Sequence, residues 1–128
     1  MLSFTAIVPH PPIMISEVGG KETKNCQQTI KAMEKLADEL SEIQPDTIII
    51  ISPHAMVHQD KFAVYGNPKF QGNMGQFGAS EISYKFANDL SLAQAIVEKS
   101  DEQGIGAFLF GDPTSESFEL DHGIMVPL

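Results

Sequence analysis

Two histidines of this 128-residue sequence occur in the same local context, an apolar run followed by a proline. His10 follows the run 3–8, and His54 follows the run 47–51. Ligands of open α/β sheets bind beyond the carboxyl ends of the strands, and imidazole is the commonest metal ligand in proteins. If the two runs are neighbouring strands, about 4.8 Å apart, both imidazoles can reach one ion. A single histidine after a strand is often an ordinary loop residue, but the repeated pattern favours a metal site.

A third histidine has neighbours that suit acid/base chemistry. His122 lies between Asp121, whose carboxylate can raise its basicity, and Gly123, which leaves room for a substrate near the backbone. We therefore predict His122 as a general acid/base, with a turn residue next to a capping Asp121 as the alternative. His58 lies in a polar loop, where a solvated side chain is the more common situation, and is left outside the predicted site.

The composition excludes several classes of partner. The chain has 17 acidic and 8 basic residues, and the resulting charge of −9 repels phosphate backbones and anionic lipid. We expect no nucleic-acid partner. No apolar run approaches the length of a membrane span and no signal peptide is recognisable, so we expect no membrane partner. Cys26 is the only cysteine, which excludes an internal disulfide and favours a reducing compartment, the cytoplasm.

The spacing of apolar residues predicts the elements that would position the histidines. Helical periodicity over 24–43 separates the β-branched runs 3–8 and 47–51, which predicts a strand–helix–strand crossover with parallel strands. Glycines 72, 75 and 78 indicate a loop. The fold class is therefore α/β, with three layers: a central, mostly parallel sheet and flanking helices. Further strands are predicted at 62–65, 82–86 and 107–110, and a second helix from Asn88 or Asp89 to near Gly104.

The length allows one domain, residues 1–128, but the last residues are unusual for a terminus. The segment 124–128 is apolar and has no polar tail. We therefore expect an incomplete, N-terminal half of a fold. Such a half would associate through apolar surface with another copy of the chain or with the missing C-terminal half.

Four motifs in this order, spread over the whole chain, resemble the class III extradiol ring-cleavage dioxygenases, the family of the B subunit of protocatechuate 4,5-dioxygenase. The likeness is greatest to the dioxygenase-like domain of the AmmeMemoRadiSam system protein A group. The motifs are Val8-Pro9-His10-Pro11-Pro12, the segment 45–54 ending in Ser52-Pro53-His54, Gly75-Gln76-Phe77-Gly78-Ala79, and Leu120-Asp121-His122-Gly123.

The resemblance implies an oxidoreductase that opens catechol-like aromatic rings with O₂ at a non-haem Fe(II) site. His10 and His54 match two of the family's metal ligands, and His122 matches its acid/base histidine. The third ligand, a carboxylate, belongs to the family's second half. Three carboxylates of this chain are candidates to replace it: Glu17, Asp60 and Asp121.

Two other functions remain open at this point. One is a catalytically inactive metal-binding or assembly module that keeps the pocket but turns over no substrate. The other is a hydrolase that uses water bound to zinc, or to another divalent metal, in the same pocket.

Overall fold

The computed structural model describes residues 2–54, 56, 58–112 and 114–128. Two helices come first in these residues, followed by three strands, a helix, two strands and a last short helix, with three 3₁₀ segments before or between them. The helices are α1 (Ser16–Gly19), α2 (Gln27–Ile43), α3 (Leu90–Glu102) and α4 (His122–Met125). The strands are β1 (Phe62–Tyr65), β2 (Lys69–Met74), β3 (Ala79–Ala87), β4 (Ala107–Phe110) and β5 (Ser117–Glu119).

The long helix α2 forms where the apolar spacing predicts it. The helix was predicted over 24–43, but its first residues belong to the 3₁₀ segment Gly20–Cys26, and the α-helix begins at Gln27. It ends at Ile43, and the next residue, Gln44, caps it: Gln44 has a left-handed backbone (φ 48°), and its N–H bonds to the carbonyl of Leu40. Pro45 follows and cannot continue the helix.

The strands form two small sheets. β1 and β4 pair in parallel, and α3 packs against both strands of this pair. β2 pairs antiparallel with β3 and parallel with β5, so the order of the second sheet is β3-β2-β5. Parallel pairing with helices packed beside it confirms the predicted α/β class.

An aromatic cluster joins the two sheets. The ring of Tyr65 in β1 lies 4.1 Å from that of Phe118 in β5 and 5.7 Å from that of Phe110 in β4, measured between ring centroids. Phe70 in β2 contributes a further edge-to-face contact with Tyr65. Pairs at these separations gain energy beyond the burial of their area. The cluster thus packs strands of both sheets against one another.

Two predicted strands are wrong. Residues 3–8 and 47–51 belong to no β-ladder in the structure, and Ile49 and Ile51 are 60% and 89% exposed. A β-branched run indicates a strand buried on both faces, but the strand forms only where a neighbouring strand supplies ladder partners. In the described residues no strand pairs with either run. The histidines that follow these runs are therefore not at the ends of paired strands.

The glycine-containing loop prediction is also wrong in part. Gly72 lies inside β2, and Gly75 begins the 3₁₀ turn Gly75–Phe77. Gly78 ends that turn with a left-handed backbone (φ 86°), which glycine adopts at no steric cost. The segment is a tight β-hairpin connection between β2 and β3.

The buried core lies under this hairpin. It holds α4 against β2, because side chains of α4 interdigitate with those of the hairpin strands. Its buried members are Met74, Ala79, Leu120, Ile124 and Met125. None of the helices in the described ranges has the length and apolar character needed to cross a membrane.

Candidate metal centre

Three histidines from distant parts of the chain meet at one place. One ring nitrogen from each of His10, His54 and His122 lies within 4.8 Å of those of the other two. The Nε2 atoms of His10 and His54 are 3.0 Å apart. The ring of His122 is 4.2 Å from that of His54 and 5.9 Å from that of His10, between centroids. The three residues singled out by the sequence are thus neighbours in the structure.

His10 is positioned by the turn that follows it. Proline residues on both sides of it supply no backbone N–H, so the chain there can form neither a helix nor a sheet ladder through them. Directly afterwards the N–H of Met14 bonds to the carbonyl of Pro11, which begins a 3₁₀ turn. This turn ends the extended run and leaves His10 at its end, half-buried.

His54 is positioned by a side chain two residues before it. Its backbone N–H donates to Ser52 Oγ at 3.2 Å, and Ser52 Oγ donates to Asp121 Oδ1 at 2.8 Å. The imidazole of His54 is itself exposed. Ser52 was not singled out in the sequence analysis; a serine two residues before a turn residue is a common local hydrogen-bonding pattern that could have found it.

His122 is positioned by the core. It is the first residue of α4, whose N-terminus is capped by the Asp121 carboxylate accepting from Gly123 N–H at 2.6 Å. The buried Ile124 and Met125 anchor the same short helix. The ring of Phe77 lies edge-on to the His122 ring at 5.4 Å. Backbone cap, core and aromatic neighbour together fix the orientation of this imidazole.

The surroundings of His122 favour its neutral form. Partial burial lowers its pKa most, and the nearby imidazoles of His54 and His10 lower it further. The carboxylate of Asp121 acts in the opposite direction but is outweighed. A neutral imidazole has a free lone pair, which is the form that binds a metal or accepts a proton.

The contact between His10 and His54 fits a metal ion as well as a hydrogen bond. Two nitrogens at 3.0 Å cannot both carry a proton between them, so at least one of them presents a lone pair to the other. If both lone pairs face one ion at about 2.1 Å, a separation of 3.0 Å corresponds to an angle of about 90° at the ion. That angle is the one between adjacent ligands of an octahedral site. The donor set therefore fits a divalent transition metal.

The carboxylates considered as a third ligand do not join this cluster. Among the described residues, the group of converging ligand atoms contains the three histidines and no carboxylate. The Asp121 carboxylate already accepts hydrogen bonds from Ser52 and Gly123, and Glu17 accepts one from Ser16. His58, left outside the predicted site, also lies outside the cluster, with its ring 5.8 Å from that of Phe108.

Comparison with known proteins identifies the family. Residues 4–128 match the family model described as the catalytic LigB subunit of aromatic ring-opening dioxygenase. Protein CA_C1420 of Clostridium acetobutylicum is 32% identical over 126 residues, a match that covers 95% of this chain but only 27% of that protein. No solved structure gives a significant match. Since the family model covers nearly the whole chain, the chain belongs to the LigB family of aromatic ring-opening dioxygenase subunits.

Proposed function

We propose that this chain carries the metal-binding part of an extradiol ring-cleavage dioxygenase, with His10 and His54 as ligands of Fe(II) and His122 as the acid/base residue. The observation that carries the proposal is the 3.0 Å approach of the two Nε2 atoms in a chain of the LigB family. Two histidines separated by 44 residues have no local reason to face each other in this way. A metal ion bound by both side chains would explain why they face each other.

The three side chains have separate tasks in this proposal. Fe(II), when bound by two histidines and a carboxylate, keeps positions open for a catechol and O₂. His10 and His54 supply two adjacent lone pairs. His122, kept neutral by its surroundings, accepts the proton of a catechol hydroxyl at its ring nitrogen and later returns it. Phe77 packs against the His122 ring, restricts its rotation and shields one edge from water.

The carboxylate of the family's ligand set is proposed to come from outside these 128 residues. The chain matches 27% of the length of Protein CA_C1420. Two apolar side chains of the extended segment before His54, Ile49 and Ile51, are largely exposed. We propose that this surface associates with a second copy of the chain or with a C-terminal half of the family's fold, which would complete the site. Light scattering at micromolar concentration tests the first possibility, because association of copies requires a mass above 14.0 kDa.

The three-histidine cluster also favours a second candidate function. Three histidines with an open fourth position form a known catalytic zinc site, in which bound water attacks a substrate. In that case His122 is a metal ligand instead of an acid/base residue. An inactive metal-binding module would use the same residues without turnover.

Metal analysis combined with oxygen uptake separates these functions. The chain is purified without oxygen, its metal content is measured, and it is then supplied with Fe(II) or Zn(II), a panel of catechols and a panel of activated esters. If an associated copy of the chain supplies the carboxylate, we expect catechol-dependent oxygen uptake with Fe(II), lost in His122→Ala but retained in the control His58→Ala. Ester hydrolysis with Zn(II) and no uptake would support the hydrolase. Metal binding without either reaction, in chains that light scattering shows to be associated, would support the inactive module.

A further inference from the structure

The serine before His54 and the aspartate before His122 are linked directly. Ser52 Oγ donates to Asp121 Oδ1 at 2.8 Å, across 69 positions of sequence. The same serine oxygen accepts from the N–H of His54, and the same carboxylate oxygen accepts from the N–H of Gly123. A continuous chain of three hydrogen bonds therefore runs from the backbone of one histidine segment to the backbone of the other. We call this chain the Ser52–Asp121 clasp.

The clasp is packed so tightly that only glycine fits beside it. A Cβ atom built on Gly123 would lie 2.6 Å from Ser52 Oγ and 2.8 Å from Asp121 Oδ1. It would also lie 2.9 Å from Cδ2 of the His54 ring. All three distances are shorter than real Cβ contacts, so a side chain at this position would push the two segments apart. The close approach of His54 to the start of α4 thus depends on glycine at position 123 as well as on the hydrogen bonds.

Backbone pairing does not provide this link. Among the backbone hydrogen bonds of the described residues outside helices and strands, none joins residues 52–54 to residues 121–123. Neither segment belongs to a strand of either sheet. Side-chain bonds and packing at the clasp are therefore what hold the His54 ring 4.2 Å from the His122 ring.

We propose that Ser52 and Asp121 are positioning residues that set the spacing between His54 and His122. The inference rests on the proposed metal site for its consequence, but the clasp itself is made by protein atoms alone. Loss of the Ser52 hydroxyl releases the His54 segment from α4, while Asp121 keeps its cap to Gly123 and α4 keeps its core contacts. The two imidazoles then lose their fixed separation. Hydrogen-bond partners of the ring of a metal-binding histidine change metal affinity by about 10- to 100-fold. Ser52 acts on the backbone of His54 instead of its ring, so we expect an effect at the lower end of this range.

The test compares Ser52→Ala with Ser52→Thr, which restores a hydroxyl at the same position. Thr47→Ala is the matched control, because it removes a hydroxyl from the same extended segment that bonds instead to Asp89. Co(II) is the probe, titrated without oxygen and followed by its visible absorption. We expect Ser52→Ala to weaken Co(II) binding by at least about tenfold and to alter the spectrum. Ser52→Thr should recover both, and Thr47→Ala should resemble the unmodified chain.

A second readout needs no metal. Contacts between the ring protons of His54 and His122, observed as nuclear Overhauser effects in the metal-free chain, should weaken in Ser52→Ala and return in Ser52→Thr. Thermal unfolding of each variant shows that the comparison is made between folded proteins. Unchanged ring contacts in a folded Ser52→Ala variant would overturn the clasp. Absence of Co(II) binding by the unmodified chain, with ring contacts that still depend on Ser52, would instead refute the proposed metal site and leave the clasp standing.

Discussion

Replacing Gly72 by alanine tests whether the packing of α4 on β2 holds the candidate site together. A Cβ atom at this position would lie 2.7 Å from Met125 Sδ, 3.0 Å from Leu120 Cβ and 3.2 Å from the Leu120 carbonyl oxygen. The thioether can rotate away, but the backbone atoms of Leu120 cannot move without shifting the start of α4. Added atoms in a well-packed core cost about 1–3 kcal/mol.

The expected net effect is smaller than this cost, because alanine also restricts the unfolded chain. That restriction stabilises the folded state by about 0.4–1 kcal/mol where the backbone conformation suits alanine. We therefore expect Gly72→Ala to lower the free energy of unfolding by about 1–2 kcal/mol. Urea unfolding followed by circular dichroism measures the difference. Gln71→Ala is the matched control, because the exposed Gln71 bonds to Leu120 N–H through its backbone carbonyl, which alanine keeps.

A double-mutant cycle identifies the cause of the loss. Met125→Ala removes the sulfur atom closest to the new methyl group, so Gly72→Ala should cost less in that background than in the unmodified chain. Equal costs in both backgrounds would mean that the methyl group does not meet Met125. A Gly72→Ala variant as stable as the unmodified chain would refute the described packing of α4 on β2, and with it the account of how His122 is held.

Three further predictions concern the stability of the fold. Asn67→Ala should lower the free energy of unfolding by about 1–3 kcal/mol in urea, because the buried amide of Asn67 donates to two backbone carbonyls of the loop after β4. Gly111→Ala should also destabilise the chain in thermal unfolding, since the backbone there (φ 150°) favours glycine and a Cβ would overlap the side-chain oxygen of Asn67. Hydrogen bonds from Leu92 N–H and Thr47 Oγ1 lower the pKa of Asp89, so its stabilisation is present above the ordinary carboxyl pKa and is lost as the pH falls through the lowered value. Asp89→Ala should therefore melt at a lower temperature than the unmodified chain at pH 7, and the two melting temperatures should converge in acid; a difference that persists at low pH would contradict this role.

Helices and strands that are determined by residues close together in the sequence could be predicted from it. α3 begins at the predicted cap, because the Asp89 side chain bonds to Leu92 N–H whatever the rest of the fold does. β1 and β4 form where short apolar runs occur, and they find each other as parallel partners. β2 was missed because its polar residues and Gly72 resemble a loop. Pairing with β3 and β5 on its two edges, a tertiary effect, makes it a strand.

In the site, too, some features could be predicted from local sequence, and others depend on contacts between distant residues. The repeated proline–histidine pattern indicated that His10 and His54 belong together, and the structure brings them within hydrogen-bonding distance. The reason assumed for it, two paired strands ending side by side, is not what the structure shows. The link that the structure does show, between Ser52 and Asp121, joins the His54 segment to the His122 segment across 69 positions of sequence. The spacing of apolar and polar residues along the chain does not indicate a hydrogen bond between two side chains that are so far apart in the sequence.

Binding of Fe(II) by the isolated chain is the most direct test of the central claim, that His10 and His54 hold one metal ion. The unmodified chain, His10→Ala, His54→Ala and the control His58→Ala are titrated with Fe(II) without oxygen, and the iron bound per chain is measured by equilibrium dialysis. We expect binding that saturates at about one iron per chain in the unmodified chain and in His58→Ala, and no saturable binding in either His10→Ala or His54→Ala, with the three variants folded. Full iron content in folded His10→Ala or His54→Ala would contradict the claim.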